Sequence, residues 1–194
     1  VSSYFFATMA LAWNLVGGFA GQISLGHTAF FGIGAYTSTL LYLHYGLTPW
    51  LGMLAGAILS VLLAIGIGIP CFRLKSHFFA LATIAIGEVL RFIASYWREL
   101  TQGGVGLLIP FKPGLANFMF KEKWPYAYIA LVFMLIMLFI CYHIRNSRFG
   151  YYLISLREDQ DAAESLGVKT SNCKLIALII SAFFTSLMGT FYAQ

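Results

Sequence analysis

Ser24 and His27 stand three residues apart in Gly17-Gly18-Phe19-Ala20-Gly21-Gln22-Ile23-Ser24-Leu25-Gly26-His27-Thr28. A hydroxyl within reach of an imidazole is the minimal arrangement for a nucleophile and its base. No third group orients the histidine, however, and Gln22 occupies the position where the Gly-x-Ser elbow of serine hydrolases needs glycine. The residues favour His27 as a polar lining or helix-capping group, and a membrane-embedded hydrolase is the distant reading. Glu88 and Arg91 are a second pair. Spaced three apart, they share one helix face and can neutralise each other. Ten residues into an apolar run that opens at Phe78, Glu88 lies roughly 15 Å deep in a bilayer, where an ionisable group marks either a functional site or a structural lock.

The other reactive residue types form no constellation. His44, His77 and His143 sit at segment ends without metal-ligand spacing and read as interfacial residues. Cys71, Cys141 and Cys173 are odd in number and widely spaced, so they read as small apolar fillers rather than a disulfide framework or metal site. No Gly-x-x-x-x-Gly-Lys-[Ser/Thr] occurs. No metal, no cofactor and no enzymatic activity are expected of this chain; ATP, if used, is bound by partner subunits. One polar stretch remains, Leu156-Arg157-Glu158-Asp159-Gln160-Asp161-Ala162-Ala163-Glu164-Ser165-Leu166-Gly167. Read as a short helix, it ends at Gly167 as a natural C′ residue, pairs Arg157 with Asp161 at i,i+4, and lays Ala162, Ala163 and Leu166 on one smooth face. Such a helix is either a solvated loop element or a docking knob with a charged rim.

The elements that must position these residues are greasy. Of 194 residues, 60% are hydrophobic and only 10% charged, against roughly 25% charged in soluble domains. The apolar runs are long and do not alternate, which indicates helices and not a barrel. The net charge of +5 comes mostly from Lys and Arg at run edges; they are topology signals, not a nucleic-acid surface. Six apolar segments can be marked, at Tyr4 to Val16, Ala29 to Leu43, Leu51 to Phe72, Phe78 to Trp97, Trp124 to Ile144, and Leu175 to Ala193. The last four are long enough to cross about 30 Å of hydrocarbon. The first two are short: either two brief crossings joined at Gly17 to Thr28, or halves of a broken helix pair meeting inside the bilayer. No charge falls between Val1 and Leu43, and backbone that leaves the helix there needs protein or water to satisfy its N–H and C=O groups. The glycine-rich break is therefore a candidate for part of a transport route.

Arg73 and Lys75 lie between the third and fourth segments, and Arg145, Arg148, Arg157, Lys169 and Lys174 between the fifth and sixth. Both connections are expected on the cytoplasmic side. By parity, the His44 to Pro49 turn and the Arg98 to Lys123 connection are external, although the latter carries Arg98, Lys112, Lys121 and Lys123. Gly52 and Gly56 form a small-xxx-small pair suited to close helix packing. The chain is read as one membrane domain over 1–194, an interior piece of a longer protein, with a cytoplasmic loop at about 145–174.

Four blocks carry a family likeness: NLVGGFAGQISLGHTAFFGIGAY (14–36), FRLKSHFFALATIAIGEVLR (72–91), LTQGGVGL (100–107) and NSRFGYYLISLREDQDAAESLG (146–167). They resemble the permease subunits of branched-chain amino acid ABC importers of the LivM type. The resemblance implies an all-α, polytopic helical transmembrane domain with broken or re-entrant helices in a bacterial inner membrane. It further implies a second, LivH-like permease subunit, two cytoplasmic ATPases and a periplasmic solute-binding protein as partners. Ala162, Ala163, Glu164 and Gly167 match the "EAA" coupling helix that seats in an ATPase groove, with Arg157, Glu158 and Asp161 as its rim. Gln22, Ser24, His27, Thr83 and Glu88 would line the translocation route, and Thr101 to Gly106 would form an external or re-entrant loop. The chain departs from many relatives at Tyr151 and Ile154, where they have basic residues, at Ser76, where they have glycine, and at Gln160, where they have an acid.

The expected function is import of branched-chain or related neutral amino acids, driven by ATP hydrolysed in the partners. Within transport the alternative is a LivM-like permease for urea or short amides. From another class, an ion-coupled secondary carrier would use Glu88 as its ion site and need no ATPase.

Overall fold

In the computed structural model the described residues are 1–72, 76–103, 106–110, 114, 117–120 and 122–194, with the side chains of residues 76 and 77 excepted. Arg73, Lys75, Lys112 and Lys121, the side chain of His77, and Gly104 and Val105 of the third family block fall outside this set.

The described residues are helical: α1 (Ser2–Asn14), a π-helical turn (Leu15–Phe19), α2 (His27–Tyr45), α3 (Pro49–Cys71), α4 (Ser76–Tyr96), α5 (Arg98–Thr101), α6 (Trp124–Arg145), α7 (Arg148–Glu158), α8 (Gln160–Ser165) and α9 (Thr170–Ala193). Among them the sole extended pairing is an isolated bridge between Gly114 and Met119. Four helices are long and apolar enough to cross a membrane: 49–71, 78–96, 124–145 and 170–193. These are the four long segments read from the sequence. Pro49 opens α3 and Pro125 lies in the first turn of α6, positions where the missing N–H has no intrahelical partner to lose.

Helices α2, α3 and α9 pack against one another and form the centre. In a bilayer such packing rests on close van der Waals approach, since lipid tails are as apolar as leucine. Small residues provide it. A Cβ on Gly52 would stand 2.8 Å from Ser38 Cα, and one on Gly56 3.1 Å from Gly34 Cα. The small-xxx-small pair is thus a packing device between α2 and α3. Ser60 Oγ donates to Phe30 O at 3.3 Å and Thr190 Oγ1 to Gly34 O at 3.0 Å, so hydroxyls stitch the same contacts. Helix α1 lies on α6 and α9, its Phe5 ring stacked 6.3 Å from Phe191. Helix α4 meets the centre chiefly along α2, and most of its described side chains are exposed.

Neighbouring contacts fix directions. Gly56 faces Ser186 while Gly68 faces Leu175 and Leu178, so α3 and α9 are antiparallel. The C-terminal end of α3 therefore lies at the same end of the bundle as α7, α8 and the start of α9, and Phe72 stacks on Phe79 of α4 at 5.0 Å. The end of α3 and the α7–α8 segment, which border the two connections expected on the cytoplasmic side, thus share one end of the bundle, the inner end on that expectation. At the opposite end of the bundle Phe118 is fully buried, 4.6 Å from the Trp50 ring and 5.9 Å from that of Phe191.

Candidate functional site

The break is built from α1 onward. Helix α1 continues through Asn14 into the π-turn at Leu15–Phe19, and Gly21 then adopts φ +64°, a conformation natural to glycine. Residues 20–26 run without helix up to His27, where α2 starts. Each freed backbone group named here finds a partner. Gln22 N donates to Val16 O at 3.0 Å, Trp13 Nε1 to Ser24 O at 2.7 Å, and Leu25 N to Thr83 Oγ1 at 3.2 Å. Thr83 passes its own proton to Ala80 O at 2.8 Å. This is irregular backbone satisfied by surrounding protein, as a membrane interior requires.

Its depth follows from the contacts. Gly18 O accepts from Arg157 Nη1 at 3.2 Å, and a Cβ on Gly21 would stand 2.6 Å from Arg157 Cγ, so the glycines lie at the inner end beside α7. His27 Nε2 lies 2.7 Å from Ser181 Oγ, eleven residues into α9 and so about 16 Å from its start. The segment therefore climbs from the inner surface to mid-depth. It is a re-entrant stretch; of the two arrangements open from sequence, this is the broken helix pair, with α2 longer than the apolar count suggested.

His27 is held by a relay. Ser181 Oγ donates its proton to Ala12 O at 2.5 Å, so His27 Nε2 must be the donor to Ser181 Oγ, and Nδ1 is the ring's remaining polar atom. Nδ1, Gln22 Oε1 and Ser24 Oγ are buried without a hydrogen-bond partner among the described residues. The nucleophile-and-base reading fails here: the imidazole bonds the Ser181 hydroxyl, not the Ser24 hydroxyl.

Of the residues assigned to a route, Gln22, Ser24, His27 and Thr83 come together around this stretch, all at most 8% exposed. Glu88 stands apart from them. Arg91 Nε and Nη2 both reach Glu88 Oε2, at 2.9 and 2.6 Å, confirming the shared helix face. The pair borders a cavity of about 520 Å³ between α2 and α4–α5.

At the inner end, Ser147 caps α7 by accepting from Gly150 N at 3.2 Å. The helix stops at Asp159, which is extended (φ −154°, ψ 113°) and caps α8 by accepting from Ala162 N at 3.0 Å. Two expectations are corrected by that interruption. Arg157 does not pair with Asp161, because the continuous i,i+4 geometry is lost; it bonds Glu158 at 2.7 Å and turns to Gly18. Ala162, Ala163 and Leu166 do not share a face: Ala163 is 2% exposed, Ala162 is exposed and Leu166 is 84% exposed. Gly167 takes φ +84° with its N–H on Glu164 O at 2.9 Å, as a C′ glycine does. Glu164 Oε1 accepts from Thr170 Oγ1 at 2.5 Å and Gln160 Nε2 at 3.1 Å. The Thr170 hydroxyl first, then the Gln160 amide and the Lys174 charge, hold its carboxyl below the usual range. Lys174, 1% exposed, donates to Gln160 Oε1 at 2.7 Å, so the Gln160 amide bridges a buried cation and a surface carboxylate.

Sequence reasoning missed Trp13, Ser181 and Lys174. Ser181 carried no signal, being one hydroxyl in an apolar span. Lys174 was taken for a topology charge.

The model of the branched-chain amino acid transport system / permease component family matches residues 1–194. The chain belongs to this family. It is similar to the high-affinity branched-chain amino acid transport system permease protein LivM of Salmonella typhimurium, 30% identical over 95% of this chain and 49% of that protein. It is also similar to LivH of the same organism, 27% identical over 97% of this chain and 66% of that one. A third relative is the guanosine ABC transporter permease protein NupQ of Bacillus subtilis, 25% identical over 90% and 59%. The chain spans about half the length of the LivM relatives it matches first. No solved structure matches it. Its family is one of transport permeases, and its four long apolar helices make it a multi-pass membrane protein.

Proposed function

We propose that the chain forms part of the permease core of an ATP-driven importer for branched-chain or related neutral amino acids. Its partners are a second, LivH-like permease subunit, two cytoplasmic ATPases that bind the ATP, and a periplasmic solute-binding protein, in a bacterial inner membrane. The route passes Gln22, Ser24, His27, Thr83 and Glu88, and the exposed Glu158, Asp161, Ala162, Glu164 and Gly167 make the ATPase contact, with the buried Ala163 holding α8 down from within.

One observation carries this reading: the surface segment α7–α8 is joined to the re-entrant stretch by Arg157 on Gly18 O. A push on α8 has a short mechanical path to backbone at mid-depth, where polar side chains and helix ends suit a zwitterionic solute. The names of the LivM and LivH relatives supply the solute class. The test is co-purification of the full-length protein with its ATPases, followed by ATP-dependent leucine uptake in vesicles, for the native sequence and for Glu164→Arg and Gly167→Trp. Stable pairing and uptake that both variants abolish support the proposal. A native protein that binds no ATPase yet transports on an ion gradient overturns it in favour of a carrier working through Glu88.

A further inference from the structure

The cavity between α2 and α4–α5 has a chemistry of its own. Glu88 is ten residues from Phe78 and eight from Tyr96, the ends of its span, so it sits about 12–15 Å from either end. A carboxylate at that depth is costly unless it faces protein or a water-filled space. The space is there: about 520 Å³, within the roughly 300–1,000 Å³ typical of small-molecule sites. Its lining combines Glu88 and Arg91 with the hydroxyl residues Tyr36, Thr37 and Ser95, and with apolar Ile33, Leu40 and Leu90.

The pair is not saturated. Both Arg91 contacts fall on Glu88 Oε2, while Glu88 Oε1 and Arg91 Nη1 make no hydrogen bond with the described residues. Their side chains are 50% and 64% exposed beside the cavity. A carboxylate and a guanidinium one helix turn apart offer one acceptor for an ammonium and one fork for a carboxylate. An α-amino acid carries those two groups on a single carbon. We propose that Glu88 and Arg91 form a binding site for the zwitterionic head of an aliphatic amino acid, the ammonium on Glu88, the carboxylate on Arg91 and the side chain against Ile33, Leu40 and Leu90. This rests on the amino-acid reading above and adds to it a specific place and polarity. Each single-charge analogue leaves one member of the pair unanswered, and a site built to bond both groups disfavours a ligand that lacks one of them.

The test uses the full-length permease reconstituted with its partner subunits. Leucine uptake is compared for the native protein, Glu88→Gln, Arg91→Gln and the exchanged pair Glu88→Arg/Arg91→Glu, with co-purifying ATPase as the assembly control. Ser95→Cys supplies a binding readout, the rate at which a small thiol reagent modifies Cys. The expected results are a loss of at least tenfold in uptake for each single variant, no recovery in the exchanged pair, and protection of Ser95→Cys by leucine but not by isopentylamine or 4-methylpentanoate. Native-like uptake in the single variants overturns the site, and recovery in the exchanged pair overturns it in favour of a structural lock. Equal protection by a single-charge analogue overturns the zwitterion assignment. A native complex that moves no amino acid sinks the functional proposal along with the site, whereas a native complex that transports while the single variants keep native-like uptake sinks only the site.

Discussion

Arg157 and Gly18, 139 positions apart in the chain, are joined by a hydrogen bond of 3.2 Å from guanidinium to carbonyl. Glu158 steadies the same guanidinium at 2.7 Å. Beside it, the positive φ of Gly21 lets the backbone pass within reach of Arg157 Cγ and Cα. The bond is partly exposed and worth on the order of 1 kcal/mol, too little to hold the fold but enough to bias a local equilibrium. Arg157→Gln is therefore expected to leave ATPase binding intact and to lower the solute moved per ATP hydrolysed by roughly tenfold. Gly21→Ala adds a Cβ to a left-handed residue, at about 1–2 kcal/mol, and against Arg157; the same uncoupling is expected from it. Uptake and hydrolysis measured side by side decide the matter, and a native ratio in both variants removes Arg157 from the coupling path.

Helix α8 separates a structural alanine from a free leucine. Leu166 is 84% exposed and Ala163 2%. If Leu166 enters a groove on the ATPase, the Leu166→Ala variant loses about 1.5–3 kcal/mol of burial, a tenfold or greater drop in ATPase retention, with an unchanged melting temperature. Ala163→Leu overfills a packed position and is expected to lower both. Titration of the ATPase onto each variant, alongside thermal unfolding, distinguishes them, and an unchanged affinity for Leu166→Ala places the contact elsewhere.

Glu164 gives α8 a pH response. Its carboxyl is held below an ordinary value of 4.5, chiefly by the Thr170 hydroxyl. A depressed folded value means that its stabilising contribution is complete above the ordinary carboxylate range and is lost as pH falls through the folded value. ATPase docking should thus be flat from neutral pH to about 5 and weaken below that. Glu164→Gln is expected to remove the acid dependence at the cost of weaker docking throughout. A variant with the native pH profile would assign the acid response to another group.

What could be read from the chain follows the range of each interaction. The four long spans depend on local composition alone, and α3, α4, α6 and α9 lie where the apolar runs do. The break was legible because glycines and polar residues interrupt a charge-free stretch. Its depth was not, because that is set by Ser181 on another helix. The same holds at Arg157: spacing along an uninterrupted helix pointed to Asp161, but Asp159 leaves the helix to cap α8. Phe118 was invisible for a similar reason, since its partners Trp50, Tyr126 and Phe191 come from three helices.

The relay from His27 through Ser181 to Ala12 ties the start of α2 to α9 and α1 with two hydrogen bonds through one hydroxyl. Ser181→Ala removes both and strands His27 Nε2 and Ala12 O in a site where no water need replace them. Hydrogen bonds between membrane helices average about 0.6 kcal/mol, and the stranded groups add a desolvation cost, so about 1–2 kcal/mol of stability should be lost. Ser181→Thr keeps the hydroxyl and should retain most of the stability, provided its methyl finds room against α1. His27→Ala should lose less than Ser181→Ala, because Ser181 keeps Ala12 O as its acceptor. The order Ser181→Ala below His27→Ala below native, read from thermal unfolding in detergent, is the signature of the relay; equal melting temperatures for all three would mean that α1, α2 and α9 are held by their small-residue contacts alone.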